Sequence, residues 1–134
     1  KEPEFAWKQA GMDEILEVAK ILPYITFHVY GIIRKETMKN VLFHGNISNE
    51  TFNKEIRNYQ AAIRLHEKNG FGETLGKSIL LGQYPISRIP YPHISYAPDE
   101  ETFISLLRSL KNKKEPNPYR DFWYQKLKNF PSWN

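Results

Sequence analysis

The sequence of 134 residues lacks cysteine, and it lacks any apolar run near the ~18–20 residues that a membrane-spanning helix needs. Without cysteine the chain cannot form a disulfide framework, a zinc-thiolate site or a cysteine nucleophile, although the compartment stays open. Disorder is excluded as well, because 19 aromatic side chains are far more than an unpacked chain carries. We therefore predict a folded domain with no membrane partner, no metal and no cofactor.

Positive charge is in excess only in the last quarter of the chain. Residues 1–104 contain 12 Lys and Arg against 13 Asp and Glu, whereas residues 105–134 contain seven against two. The formal net charge of +4 therefore arises in this last stretch, which also carries six aromatic residues. We predict a core over residues 1–112 and a basic, aromatic appendage of the same domain over residues 113–134.

Concentrated positive charge among aromatic rings is typical of nucleic-acid binding, since cations neutralise phosphates and ring faces stack on bases. RNA is the expected partner rather than DNA, although no RRM aromatic pair and no KH glycine loop is present. The ordinary alternative is that the lysines are solvated helix-end residues and the rings complete the core. The residues predicted at the interface are Lys111, Lys113, Lys114, Tyr119, Arg120, Trp123, Lys126, Lys128 and Trp133.

The same segment also suits a protein partner. Trp123, Tyr124 and Trp133 would then be anchors, because Trp, Tyr and Arg dominate interface hot spots. Added salt separates the two hypotheses, since phosphate binding weakens strongly with salt and aromatic burial barely changes. The second hypothesis is therefore a subunit of a larger assembly that docks through this segment.

Helical periodicity predicts four helices. Apolar residues recur at helical spacing over residues 12–22, 49–68 and 99–112, with acidic residues in the first turn of each. Prolines introduce a fourth helix over residues 118–129. The longest prediction, 49–68, rests on a stripe of four apolar side chains that begins at Phe52.

Strand signals are short and scattered. Alternating apolar and polar residues predict a strand over 25–33, and residues 38–44 are either a second strand or a helical turn. The apolar run 78–81 is predicted as a short buried strand, and the proline-rich stretch 84–97 as extended chain with an edge strand at 93–96. These elements predict a single α+β domain, in which three to four helices pack on a small mixed or antiparallel sheet.

A glycine-rich segment over residues 70–78 is close to a phosphate-binding loop. The fingerprint requires glycine where Phe71 stands, and it requires a preceding strand where the predicted helix lies. We therefore expect Gly70 to end a helix and Gly72 and Gly76 to shape turns.

Four histidines are present, and no pair has a metal-binding spacing. His66 continues the stripe of the long predicted helix, where the helix dipole would stabilise its charge. His93 and Ser95 are two apart on a predicted strand and would share one face. His28 and His44 are the candidate partners for a catalytic site built on that pair.

Two short resemblances support this enzyme alternative. His93-Ile94-Ser95 resembles the His-x-Ser/Thr element of two-histidine phosphoesterases, a family that uses it twice, whereas this chain has one copy. The stretch around His44-Gly45 is similar to the His-Gly step of ADP-ribosyltransferases. Together they imply a small histidine-dependent phosphoesterase or transferase, with His28, His44, His93 and Ser95 as the catalytic residues.

Overall fold

The computed structural model describes residues 3–67 and 71–129, and within these ranges the chain forms six helices and five short strands. The helices are α1 (Pro3–Gln9), α2 (Met12–Ile21), α3 (Asn49–Glu55), α4 (Glu73–Leu80), α5 (Glu100–Ser109) and α6 (Arg120–Leu127). The strands are β1 (Phe27–Tyr30), β2 (Val41–Gly45), β3 (Ile63–Arg64), β4 (Ile86–Ser87) and β5 (Ser95–Tyr96). The α+β class is confirmed, as are helices within 12–22, 99–112 and 118–129 and strands within 25–33 and 93–96. Of the two alternatives for 38–44 the strand is found, and it extends to Gly45.

The backbone clusters into a first unit, residues 1–55, and a second unit, residues 56–134. The first unit contains a two-stranded sheet, β1-β2, and the second a three-stranded sheet in the order β3-β4-β5. Every pair of described strands is parallel, which corrects the expectation of one mixed or antiparallel sheet. The link from β1 to β2 is not a hairpin turn, because it returns the chain to the start of β1, where Phe27 lies opposite Val41.

Helix α2 supplies the core of the first unit. Its apolar stripe buries Val18 and Ala19 completely, as the helical spacing predicts. The side-chain amide of Asn40 then ties the end of α2 to the start of β2. It donates to the carbonyl oxygens of Ala19 at 3.0 Å, Leu22 at 3.3 Å and Ile25 at 3.0 Å.

The helix predicted over 49–68 is wrong in its second half. Ser48 does cap α3, since its hydroxyl oxygen accepts a hydrogen bond from the Thr51 amide at 3.1 Å. After α3 and one 3-10 turn, however, the chain becomes β3, in which Ile63 lies opposite Ile86. Pairing with a strand distant in sequence therefore overrides the local helical periodicity.

The apolar run 78–81 lies mostly in α4, so the predicted strand is wrong there. A run of three apolar residues, here Ile79–Leu81, fits a buried strand and a buried helix turn equally well. Helix α4 buries Leu75, Ser78 and Ile79 on one face, which shows that the helical period governs this segment.

A buried polar network fixes the turn after α4. The Ser78 hydroxyl donates to Gln83 Oε1 at 2.8 Å, and Gln83 Nε2 donates to the Ile56 carbonyl at 2.6 Å. Asn117 Nδ2 donates to the Gln83 carbonyl at 3.0 Å. The network satisfies polar groups that burial would otherwise leave at a cost, and it joins residue 56, α4 and the approach to α6.

Helices α5 and α6 complete the second unit. Asp99 caps α5 by accepting a hydrogen bond from the Thr102 amide at 2.9 Å, and the hydrogen bonds from Thr102 hold the pKa of Asp99 below its ordinary value. Helix α6 places Trp123 and Leu127 in a core cluster with Ile79 of α4. The division into residues 1–112 and 113–134 stays a prediction.

Candidate functional site

In the second unit, β3 is the element that precedes α4 along the chain, apart from residues 68–70, which lie outside the described ranges. One of the two objections to a phosphate-loop interpretation is the expected helix in front of the glycine-rich segment, and that expectation is wrong, because β3 stands there. The other objection holds, since Phe71 occupies the position where the fingerprint requires glycine. His66, predicted near a helix end, instead follows this strand. In parallel α/β sheets, ligands bind outside the carboxyl ends of the strands, and helix N-termini there favour anions.

The glycines of this segment have different roles from those expected. Gly72 is the N-cap of α4 and has a left-handed φ of 84°, which favours glycine. Gly76 is buried within α4 rather than in a turn. Gly70 lies outside the described residues.

Arg64 is the central residue of this edge. It ends β3, and its side chain passes directly beside Gly72: a Cβ atom at position 72 would lie 3.0 Å from Arg64 Cδ and 3.1 Å from Arg64 Nε. The Nε atom is buried and has no hydrogen-bond partner among the described residues. A buried donor of a permanent cation, next to the amides that open α4, is suited to an anionic ligand.

Arg88 adds a second guanidinium at the same edge. Its backbone amide donates to the Arg64 carbonyl at 2.9 Å, so the two arginines follow neighbouring strands. Its Nε donates to the Ala97 carbonyl at 2.6 Å, which holds this side chain beyond the end of β5. Arg88 also interacts electrostatically with the Asp99 carboxylate, which offsets part of its positive charge. Sequence reasoning missed both arginines. The apolar residues that flank Arg64, at 61–63 and 65, are a signal for the strand that positions it.

The structure corrects the role expected for Trp123. This side chain is 7% exposed, stacks on Phe71 with ring centroids 4.6 Å apart, and donates from Nε1 to the Pro92 carbonyl at 3.0 Å. Apolar burial and a satisfied indole N–H make it a core residue. Its ring is therefore not available to stack on a base or to anchor a protein partner.

The other residues of the predicted interface remain at the surface. Tyr119 is 43% exposed, and Tyr124 is 52% exposed. Trp133 lies outside the described residues. The basic side chains of the segment are all exposed, and they are Lys111, Lys113, Lys114, Arg120, Lys126 and Lys128. Their role at a nucleic-acid surface stays a prediction.

His93 and Ser95 do not form the expected pair on a strand. His93 precedes β5 and has a φ of 62°, so the alternation of side chains along the strand does not extend to it. Its ring instead stacks on Tyr119, with centroids 3.9 Å apart and planes 2° from parallel. This contact ties the loop before β5 to the start of α6.

His28 and His44 meet in the first unit. His28 Nδ1 lies 2.9 Å from His44 Nε2, a hydrogen-bond distance across the β1-β2 pair. Burial and the charge of His44 lower the pKa of His28, and the opposing influence of Glu55 is smaller. Two of the four predicted catalytic residues, His28 and His44, therefore lie next to each other. Their catalytic role stays a prediction.

Residues 3–67 and 71–129 contain neither a cluster of metal-ligating side chains nor a membrane-spanning helix. No group of three or more His, Cys, Asp or Glu side chains in these ranges is arranged to hold a metal ion. No helix in them is long and apolar enough to cross a bilayer.

Comparison with known proteins gives a fold likeness and no sequence match. No protein-family model matches the chain, and no curated protein sequence matches it. Among solved structures, the chain is similar to the pneumococcal O-GlcNAc transferase GtfA in complex with UDP and GlcNAc. The TM-score is 0.65 at 18% identity, over 92% of this chain and 30% of the GtfA chain. This chain thus has the fold of a part, about a third in length, of a glycosyltransferase.

Proposed function

We propose that this chain binds a nucleoside diphosphate, as the nucleotide-sugar-binding part of a glycosyltransferase-like protein. The observation that carries the proposal is the buried, unpartnered Nε of Arg64 beside Gly72, at the start of α4. The fold likeness to a transferase whose structure contains UDP supports the choice of ligand.

The diphosphate is placed at the carboxyl edge of the β3-β4-β5 sheet. There the first amides of α4 and the guanidinium of Arg64 donate to phosphate oxygens, and Arg88 adds positive charge from the neighbouring strand. Glycine at position 72 leaves the space that the Arg64 side chain occupies beside the start of α4. Exposed Glu73, in the first turn of α4, is an acceptor for sugar hydroxyls rather than for phosphate.

The expected activity of this chain is binding, and group transfer is a proposal for a larger protein. The chain covers 30% of the GtfA chain, so the remaining 70% of such a transferase has no counterpart in it. Titration with UDP therefore tests the proposal more directly than a transferase assay.

We expect isothermal titration calorimetry to detect saturable UDP binding, and Arg64→Gln to weaken it on the order of 10–100-fold, since a hydrogen bond to a charged group is worth about 1.5–3 kcal/mol. Arg64→Lys retains the charge without the fork of donors and should fall in between. Arg64 Nε forms no hydrogen bond with a described residue that this substitution would break.

Arg108→Gln is the matched control, since it removes one exposed positive charge from α5. If Arg64→Gln and Arg108→Gln weakened UDP binding equally, the effect would be one of net charge, and the proposed site would be contradicted. Absence of UDP binding by the unmodified chain would overturn the function.

We also propose, as a second function, that the exposed basic residues of the carboxyl-terminal segment bind single-stranded RNA. Lys111, Lys113 and Lys114 lie next to one another and are exposed, which supports phosphate contacts. Replacing all three with glutamine is expected to reduce the slope of log affinity against log salt by about 2, because each contact with a single strand contributes ~0.7. A filter-binding series in KCl measures this slope, and an unchanged slope would contradict the proposal.

A further inference from the structure

A column of stacked rings joins the two strands of the first unit to α3. The rings of His28 and His44 are nearly parallel with centroids 5.1 Å apart, and the Tyr30 ring stacks on His44 with centroids 4.6 Å apart. The Tyr30 hydroxyl donates to Glu55 Oε1 at 2.5 Å, and Phe52 meets the Tyr30 ring edge-on at 5.0 Å. Strands β1 and β2 thus contribute the rings, and α3 contributes the carboxylate and the phenyl group.

Helix α3 contacts this column through Phe52 and Glu55. None of its residues is buried, so no apolar stripe anchors it as the stripe of α2 anchors that helix. Phe52 and Glu55, both in contact with Tyr30, are the α3 side chains that reach the column. A change in the arrangement of these rings therefore acts on α3 directly.

The hydrogen bond between the two histidines depends on how many protons they carry. A neutral pair has one N–H donor facing one lone pair, and a singly protonated pair retains a charge-assisted bond. A doubly protonated pair has two donors and two positive charges facing each other at 2.9 Å, so the bond is lost and the rings repel. The pair therefore has a closed state with at most one proton and an open state with two.

We propose that the His28–His44 pair is an acid-operated latch that holds α3 against β1 and β2 near neutral pH and releases it when both rings are protonated. The titratable groups that face His28 are His44 from β2, Glu55 from α3 and Tyr30 from its own strand. Histidine is the side chain whose ordinary pKa lies nearest to neutrality, which sets the working range of the latch.

The direction of the pH effect follows from the lowered pKa of His28, whose largest cause is burial and whose second cause is the charge of His44. A lowered pKa in the folded state means that the unfolded chain binds protons more readily. The contribution of His28 to the free energy of unfolding is therefore fully present above the ordinary histidine pKa of about 6.5. It is lost as the pH falls below that value. This window lies above the range in which carboxylates titrate.

Titration of the imidazole resonances by NMR tests the latch. His44→Gln removes a positive charge and is expected to raise the midpoint of His28, whereas Glu55→Gln removes a negative charge and is expected to lower it. The amide resonances of Phe52 and Glu55 are expected to shift with the histidine midpoint. Shifts of His28 in one common direction in both variants, or α3 amides that do not follow the titration, would overturn the proposal.

Urea unfolding supplies a second measurement. Between pH 7.5 and 5.5, the unfolding equilibrium constant of the unmodified chain is expected to rise several-fold more than that of the His28→Asn and His44→Gln double variant. His93→Asn is the control, because asparagine tolerates the left-handed backbone at this position and His93 lies in the second unit. An equal loss of pH dependence in the control would assign the effect to histidine in general and overturn the latch.

Discussion

Replacing Trp123 with alanine is expected to lower the free energy of unfolding by about 3–5 kcal/mol, the range for large aromatic side chains deleted from a core. The indole is 7% exposed and packs in one cluster with Ile79 and Leu127. The change also removes the stack on Phe71 and leaves the Pro92 carbonyl without its donor. Urea denaturation followed by far-UV circular dichroism measures the loss.

Tyr124→Ala is the matched control for this loss. Tyr124 is the next residue of the same helix and is 52% exposed, so its truncation is expected to change the free energy of unfolding by less than about 0.5 kcal/mol. A stable Trp123→Ala variant that fails only in RNA binding would instead support the stacking role that the sequence suggested.

Gly72→Val is expected to lower the free energy of unfolding by about 2–4 kcal/mol, from left-handed strain and from overpacking against Arg64. The φ of 84° disfavours a β-branched residue, and the new Cβ would lie 3.0 Å from Arg64 Cδ. The guanidinium is the group that must move, so UDP binding is expected to fall at least as far as in Arg64→Gln. Calorimetry at a temperature where the variant is folded separates the two losses.

Gly31→Val measures the free-energy cost of left-handed backbone strain alone. Gly31 has a nearly identical φ of 83°, but a Cβ there meets nothing within 4 Å. It should therefore show the strain, about 1–3 kcal/mol, without the overpacking and without any effect on UDP. Equal stability and equal UDP binding in the two variants would contradict the close approach of Arg64 to Gly72.

Local signals predicted the elements that local interactions stabilise. Helix α5 begins where Asp99 and the glutamates after it indicate, because a capping carboxylate acts on amides within the first turn. Helix α2 is equally local, since its acidic first turn and its apolar spacing agree. The aromatic and β-branched residues of 27–30 likewise indicate a strand without reference to a partner.

Non-local pairing explains what the sequence could not reveal. Ile56 and Ile63 have helical spacing. The Ile56 carbonyl nevertheless accepts a hydrogen bond from the side-chain amide of Gln83, and Ile63 lies opposite Ile86. Neither partner is visible in a window of one or two turns. The missed strand then concealed the candidate site, because Arg64 gains its position only when β3 precedes the glycine-rich segment.

The contact between the two histidines also depends on non-local pairing that the sequence does not reveal. Composition and spacing identified His28 and His44 as candidates, but they lie on strands whose mutual register no local pattern fixes. A bulge between Val29 and Tyr30 shifts that register so that Tyr30 lies opposite Gly45. Without the bulge, the register would place Tyr30 opposite His44 itself.

Parallel pairing also has a consequence for the order in which the second unit folds. The register joins Ile86 to Ser95 across a short loop, but it joins Ile63 to Ile86 only after the chain of α4 has crossed between them. Closing the longer loop costs more chain entropy, and contacts of high sequence separation slow folding. We therefore expect β4 and β5 to associate early and β3 to dock last, so that Arg64 becomes ordered at the end of the folding reaction.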